Sequence, residues 1–172
     1  MTWKLDPSHT QVQFSVRHMM ISTVRGTFEK FEAEATIDPE HFEASKVVAK
    51  AQAQSIQTGE PQRDAHLRSA DFFDAEKYPE LKLESTKIRK SGDDVVVEAN
   101  LTIKGVTKSI QLKGEVLGPA KDPWGNQRVG FSVNTEIDRE DFGLQYNQVL
   151  ETGGVLVGKK VKILLEAQFV AG

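Results

Sequence analysis

An all-β fold is what this sequence predicts, and three observations predict it. Most of the chain alternates apolar and polar residues with period two. Short glycine-bearing turns separate the alternating runs. A single long stretch, near residues 60–78, breaks the alternation. About eight antiparallel strands with one apolar face each have two solutions, a sandwich or a closed up-and-down barrel. A chain of 172 residues supports one sizeable core, so residues 1–172 read as one domain.

The runs follow in order. "TQVQFSVR" turns Val12, Phe14 and Val16 to one side, and "FEAEATI" does the same with Phe31, Ala33, Ala35 and Ile37. Weaker runs lie near 23–28, 47–56 and 81–88. "DDVVVEANLTIK" sets Val95, Val97, Ala99, Leu101 and Ile103 against Glu98, Asn100, Thr102 and Lys104. "SIQLKGEV" carries Ile110, Leu112 and Val116, and "RVGFSVNTEI" carries Val129, Phe131, Val133 and Ile137. The last run, "KVKILLEAQFV", supplies Val161, Ile163, Leu165, Ala167 and Phe169. "KSGDD" (90–94) and "KGVTK" (104–108) are hairpin loops. "GPAKDPWGNQR" (118–128) is a longer one, with proline and glycine where pairing must stop.

The exceptional stretch centres on "RDAHLRSADFFDAEKYPE" (63–80). A structureless loop of this length is unusual in a small domain. Pro61 suits a first helical turn, and Asp64 and Arg68 stand at i,i+4 with the acid first. Asp71 is placed to cap a second short helix carrying Phe72 and Phe73, which Pro79 would end. The expectation is a short helical segment at about 60–78 laid across the barrel, with Ala65, Leu67, Phe72, Phe73 and Tyr78 packed down.

Composition excludes several chemistries. There is no cysteine, so disulfides and thiolate metal sites are absent. A net charge of −3 exerts no global pull on nucleic acid or an anionic membrane. The N-terminus lacks a basic region followed by an apolar stretch, so no secretory signal is read and a cytoplasmic protein is expected. His9, His18, His41 and His66 form neither HxH nor HExxH spacing. No GxSxG occurs, and "DFGL" (141–144) lacks the rest of a kinase signature. Asp71 and Asp74 at i,i+3 read as a charged face and a cap. "TGGVLVGKK" (152–160) has no helix after it, so Gly153 and Gly154 read as a turn rather than a phosphate loop. "SVRHMM" (15–20) is different: a cation beside flexible apolar side chains suits the head and tail of an amphiphile.

Six segments appear in a characteristic order: "LDPSHTQVQFSVRHMMISTVRGTF" (5–28), the 63–80 stretch, "LTIKGVTK" (101–108), "DPWGNQRVGF" (122–131), "DFGL" (141–144) and "GGVLVGKKVKILLE" (153–166). Together they resemble the YceI-like family, which is described as polyisoprenoid-binding. The resemblance implies an extended, lipocalin-like antiparallel barrel of eight strands. It also implies an apolar tunnel for a long isoprenoid, such as a polyprenyl phosphate or the tail of a quinone, and a homodimer. Many members of the family carry a secretion signal, which this sequence does not show.

A barrel of this size either fills its interior with side chains or holds one ligand. Small residues on the inner faces (Ala33, Ala35, Ala99, Gly114 and Ala167) would leave room for one. The expected tunnel residues are Phe14, Val16, Met19, Met20, Phe31, Leu101, Phe72, Phe73, Phe131, Val133 and Ile163. The expected head-group residues are Arg17, His18, Arg63, His66 and Arg68, with Asp64 orienting a neighbour. No catalytic residue, metal or cofactor is expected, and membrane contact is at most transient. Two alternatives stay open at this level: an enzyme acting on such a lipid with His66 as base, and a ligandless dimeric scaffold in which these charges only fix the flap.

Overall fold

The computed structural model describes residues 2–18, 21–144, 146 and 157–171. Eleven strands form one antiparallel sheet that closes on itself. They are β1 (Thr2–Leu5), β2 (Gln11–His18), β3 (Ser22–Phe28), β4 (Phe31–Thr36), β5 (Lys46–Gln52), β6 (Ile56–Gln57), β7 (Glu80–Ser91), β8 (Asp94–Ile103), β9 (Val106–Lys121), β10 (Gln127–Asp138) and β11 (Val157–Ala171). β1 and β2 both pair with β11. They are two halves of one long strand, interrupted where Pro7 lacks a donor and Asp6 caps a 3-10 turn by accepting from the Ser8 amide. β3 and β4, and β5 and β6, are likewise halves of one composite strand each. Counted this way the barrel has eight antiparallel strands in up-and-down order, the architecture expected from the sequence. The sandwich is excluded because β1 joins β11.

The two ends of the barrel differ. At the β1 end, Trp3, Ile37, Phe42, Phe131 and Phe169 belong to a single buried cluster, and Trp3 Nε1 donates to the Ile37 carbonyl at 3.1 Å. Phe42, Phe131 and Phe169 stack edge to face in a row. This end is solid. At the other end the inward side chains of β2, β4, β5 and β7, among them Phe14, Val16, Ala33, Ala49 and Leu83, are only half-buried although they point into the barrel. That end is hollow.

Gly114 has a different job from the one its size suggested. It faces Val133, and a Cβ built on it would collide with the Ser132 carbonyl oxygen. It permits the close approach of β9 to β10 rather than making space inside. Ala35 and Ala99 are packed in the solid end; Ala33 and Ala167 line the hollow.

The wall has an unpaired seam between its first two composite strands. The first two composite strands are bridged at Lys4↔Glu34 and again at Gln13↔Thr27, with no pairing between them. The first strand uses two more residues than the second across this interval, and the 3-10 turn at Pro7–His9 takes up the difference. Each strand keeps its other neighbour throughout, as in the Asp6 amide donating to the Gln168 carbonyl at 2.8 Å and Gln52 to Lys30 at 2.9 Å.

A polar cluster ties this interruption to β10, on the other side of β11. Arg128 Nη1 donates to Asp6 Oδ2 at 2.7 Å, and Arg128 Nε donates to Asp122 Oδ2 at 2.8 Å. Hydrogen bonds from Ser8, His9 and Arg128 hold the Asp6 carboxyl well below the usual carboxylate range. The Arg128 bond lowers Asp122 in the same way. A carboxylate with a depressed folded-state pKa contributes stability above its unfolded value, and that stability is lost as pH falls. Chemical denaturation followed below about pH 4 should therefore show a loss of stability that is shallower in Asp6→Asn, which no longer has this proton to take up. The Gly114→Val variant should lose at least about 2 kcal/mol through overpacking against backbone, read from its urea midpoint.

Candidate functional site: an apolar cavity under a stapled flap

The hollow half encloses a cavity of about 240 Å³. Its wall is apolar almost throughout. On β11 the lining runs from Val157 to Phe169, about 40 Å of strand at ~3.3 Å per residue. With the usual barrel tilt this is about 30 Å along the axis. The deep end is set by Leu112, Phe131 and Phe169, and the other end by Phe28, Phe73 and Leu144. The space is long and narrow.

The 59–79 segment lies over the hollow end, filling the gap left where β6 stops short of β7. Its helix, α1 (Pro61–Arg68), begins with Pro61 at N1 as the sequence predicts. The second helix does not form. Residues 69–79 make hydrogen-bonded turns, with Phe72 and Asp74 both donating to the Ser69 carbonyl and Asp74 left-handed at φ 47°. Asp71 binds His66 Nε2 at 2.9 Å instead of capping a helix. The reason is packing: Phe72 and Phe73 are adjacent, and the turns aim both, with Leu67, into the cavity. Ala65, expected on the packed side, is exposed.

The flap is fastened on two sides. On the β6 side Asp64, only 2% exposed, accepts from the Thr58 amide at 2.9 Å and from its hydroxyl. Arg63 Nε donates to Thr58 Oγ1 at 2.7 Å, and Arg68 Nε to the Gln54 carbonyl at 3.0 Å. The expected Asp64–Arg68 pair is therefore replaced by bonds to the barrel. On the other side Lys104 Nζ donates to the Ala70 carbonyl at 3.1 Å. The Tyr78 ring covers Gly105, where a Cβ would approach it to 2.8 Å. Lys104 and Gly105 both have positive φ, as the two-residue hairpin requires.

Nine of the expected tunnel residues line the cavity: Phe14, Val16, Phe31, Leu101, Phe72, Phe73, Phe131, Val133 and Ile163. Met19 and Met20 lie outside the described residues, as do Gly153 and Gly154. None of the five expected head-group residues lines it. Arg63 and Arg68 are engaged with Thr58 and Gln54. His66 pairs with Asp71 and stacks on Phe72 and Tyr146, with ring centroids at 5.1 and 4.8 Å. Arg17 and His18 stand at the end of β2, on the hollow half of the barrel. Among the described residues no three side chains group as a metal site.

Sequence reasoning missed Arg139. It lines the cavity, is 3% exposed, and donates to the carbonyls of Gly158 (2.8 Å), Val157 (3.2 Å) and Leu144. Burial holds the guanidinium pKa below its ordinary value, against the raising pull of Glu140 and Asp138. The signal was available: the inward alternation Val133, Thr135, Ile137 continues to position 139. The side chain links the end of β10 to the start of β11 and fixes the corner beneath Leu144.

Removing the Asp64 staple should loosen the flap alone. Asp64→Ala should cost about 2 kcal/mol and raise amide exchange over residues 58–68 while β8 and β9 keep their protection, as read by hydrogen exchange.

The comparisons agree with this architecture. The YceI-like domain model matches residues 3–169. Protein YceI of Escherichia coli is 37% identical over 145 residues, covering 83% of this chain and 76% of its own. A YCEI protein of Campylobacter jejuni superposes with a TM-score of 0.78 at 30% identity, over 91% of this chain and 90% of its own. A polyisoprenoid binding domain from Saccharophagus degradans shares the fold at 16% identity, with a TM-score of 0.70 over 99% of this chain and 98% of its own. With the sequence match running almost end to end on the barrel just described, this chain belongs to the YceI-like family.

Proposed function

We propose that this protein is a non-catalytic carrier that holds the chain of a long isoprenoid lipid inside the barrel. One observation carries the reading: a narrow, apolar cavity that follows β11 for most of its length. A linear hydrocarbon gains about 0.8 kcal/mol per buried CH₂, so a long tail binds such a wall with few polar contacts. A compact, polar substrate gains nothing there. The fold shared with the Saccharophagus degradans polyisoprenoid binding domain supports the same reading.

The head group stays outside the cavity. The three Arg139 hydrogen bonds go to backbone carbonyls, and burying a phosphate without partners is prohibitive. Of the five cationic candidates, Arg17 and His18 have no side-chain ion pair or hydrogen bond among the described residues. They are the better placed to meet an anionic head. Arg63, His66 and Arg68 hold the flap first.

Native mass spectrometry of the purified protein, followed by extraction, tests the reading. The expected result is a discrete adduct of isoprenoid mass near one per chain. A bare protein whose melting temperature ignores added polyprenyl phosphate and polyprenyl alcohol would exclude it. Ala167→Phe, which fills the cavity wall, should lower affinity for both lipids at least about tenfold. Arg17→Ala should weaken the phosphate more than the alcohol; equal losses would remove Arg17 from the head-group site.

A further inference from the structure

The outer face of the hollow half carries a feature of which the proposed head-group site uses only Arg17. β11, β2 and β3 lie side by side there, with Ser15 facing both Lys162 and Arg25. Phe14, Val16, Val161 and Ile163 point inward from these strands. Period two places Arg17, Arg25, Lys160 and Lys162 on the outside, and all four are exposed. None of them forms an ion pair among the described residues. Glu136 and Asp138 face Lys162 and Lys160 from β10, on the far edge of the patch, and neither comes within ion-pair distance. Between β2 and β3 the sequence reads Met19-Met20-Ile21, and Ile21 is 82% exposed.

An unpaired cationic face on a chain of net charge −3 orients the whole molecule in the field of an anionic surface. An exposed apolar tip beside such cations is the pattern of a peripheral membrane contact. The tip enters the boundary between head groups and acyl chains, and the cations remain among the head groups. We propose that this face docks the protein on an anionic lipid bilayer, with Ile21 entering the interface and Arg17, Arg25, Lys160 and Lys162 on the head groups. Docking in this way sets the hollow half of the barrel, rather than the solid end, against the source of an apolar ligand. The inference does not depend on what fills the cavity, because vesicles without isoprenoid suffice to test it.

The test is co-sedimentation of the intact protein with vesicles of phosphatidylcholine alone and of phosphatidylcholine mixed with phosphatidylserine. Binding is expected only to the mixed vesicles, and to fall as salt is raised. Each cation near the surface contributes about fivefold to partitioning. R25E/K160E/K162E, which spares Arg17, should therefore weaken binding by about a hundredfold or more. Ile21→Asp should weaken it about tenfold. K87E/K108E, on exposed positions of β7 and β9, should bind like the parent. Thermal melts of each variant, unchanged from the parent, establish that the barrel is intact. The proposal is overturned if the parent fails to sediment with mixed vesicles, binds both kinds equally, or binds undiminished after the triple reversal. Vesicle binding without lipid uptake would retain the docking face and discard the carrier, and uptake without vesicle binding would do the reverse.

Discussion

Closure of the barrel rests on one ladder, the pairing of β11 with the broken β1–β2 strand. β11 is the last strand and β1–β2 the first, so this contact spans almost the whole chain. A sheet closed in this way leaves unpaired edge only locally, at the seam and beside β6. It also turns one face of every strand toward a common interior. The solid end, the cavity and the flap that covers it are all arrangements of that interior, and none has a place in an open sheet.

Within the closed wall, side-chain size decides which half is filled. Trp3, Phe42, Phe131 and Phe169 are large and meet at one end. Ala33, Ala49, Ala51 and Ala167 line the cavity, Ala33 and Ala167 where it meets that cluster. Bulk alone does not set this, since Gly114 and Ala99 belong to regions packed against backbone or core. The flap then supplies what the hollow end lacks. Its aromatic residues extend the apolar wall, and its charged residues turn outward or bond to Thr58 and Gln54. The residues that looked most like chemistry in the sequence are in large part the fasteners of a lid.

Much of the fold was legible because period two reports directly on which face is inside. The strands, the hairpins at Gly92 and Gly105, and the start of α1 at Pro61 all follow from local rules. Seven cavity residues followed from the same alternation, and Phe72 and Phe73 from the stretch that breaks it. What stayed hidden depends on tertiary partners. Asp64 and Arg68 have ideal helical spacing, yet each bonds to the barrel, and nothing local announces Thr58 or Gln54 as partners. The pull of the cavity on Phe72 and Phe73 overrides the capping signal at Asp71. Arg139 was passed over because a charge ends a strand more often than it continues one inward.

The seam between the first two composite strands has a consequence for how the chain tolerates change. In a fully paired strand, inserting one residue shifts the register and sends every later side chain to the wrong face. Between Leu5 and Val12 the register against the second composite strand is set only at the bridges on either side, and the intervening turn already absorbs a mismatch of two residues. Chain length is least constrained at Pro7–His9, three exposed residues between Leu5 and Thr10 of the cavity wall. Relatives of this barrel are free to vary there in length while every inward residue beyond the turn keeps its place.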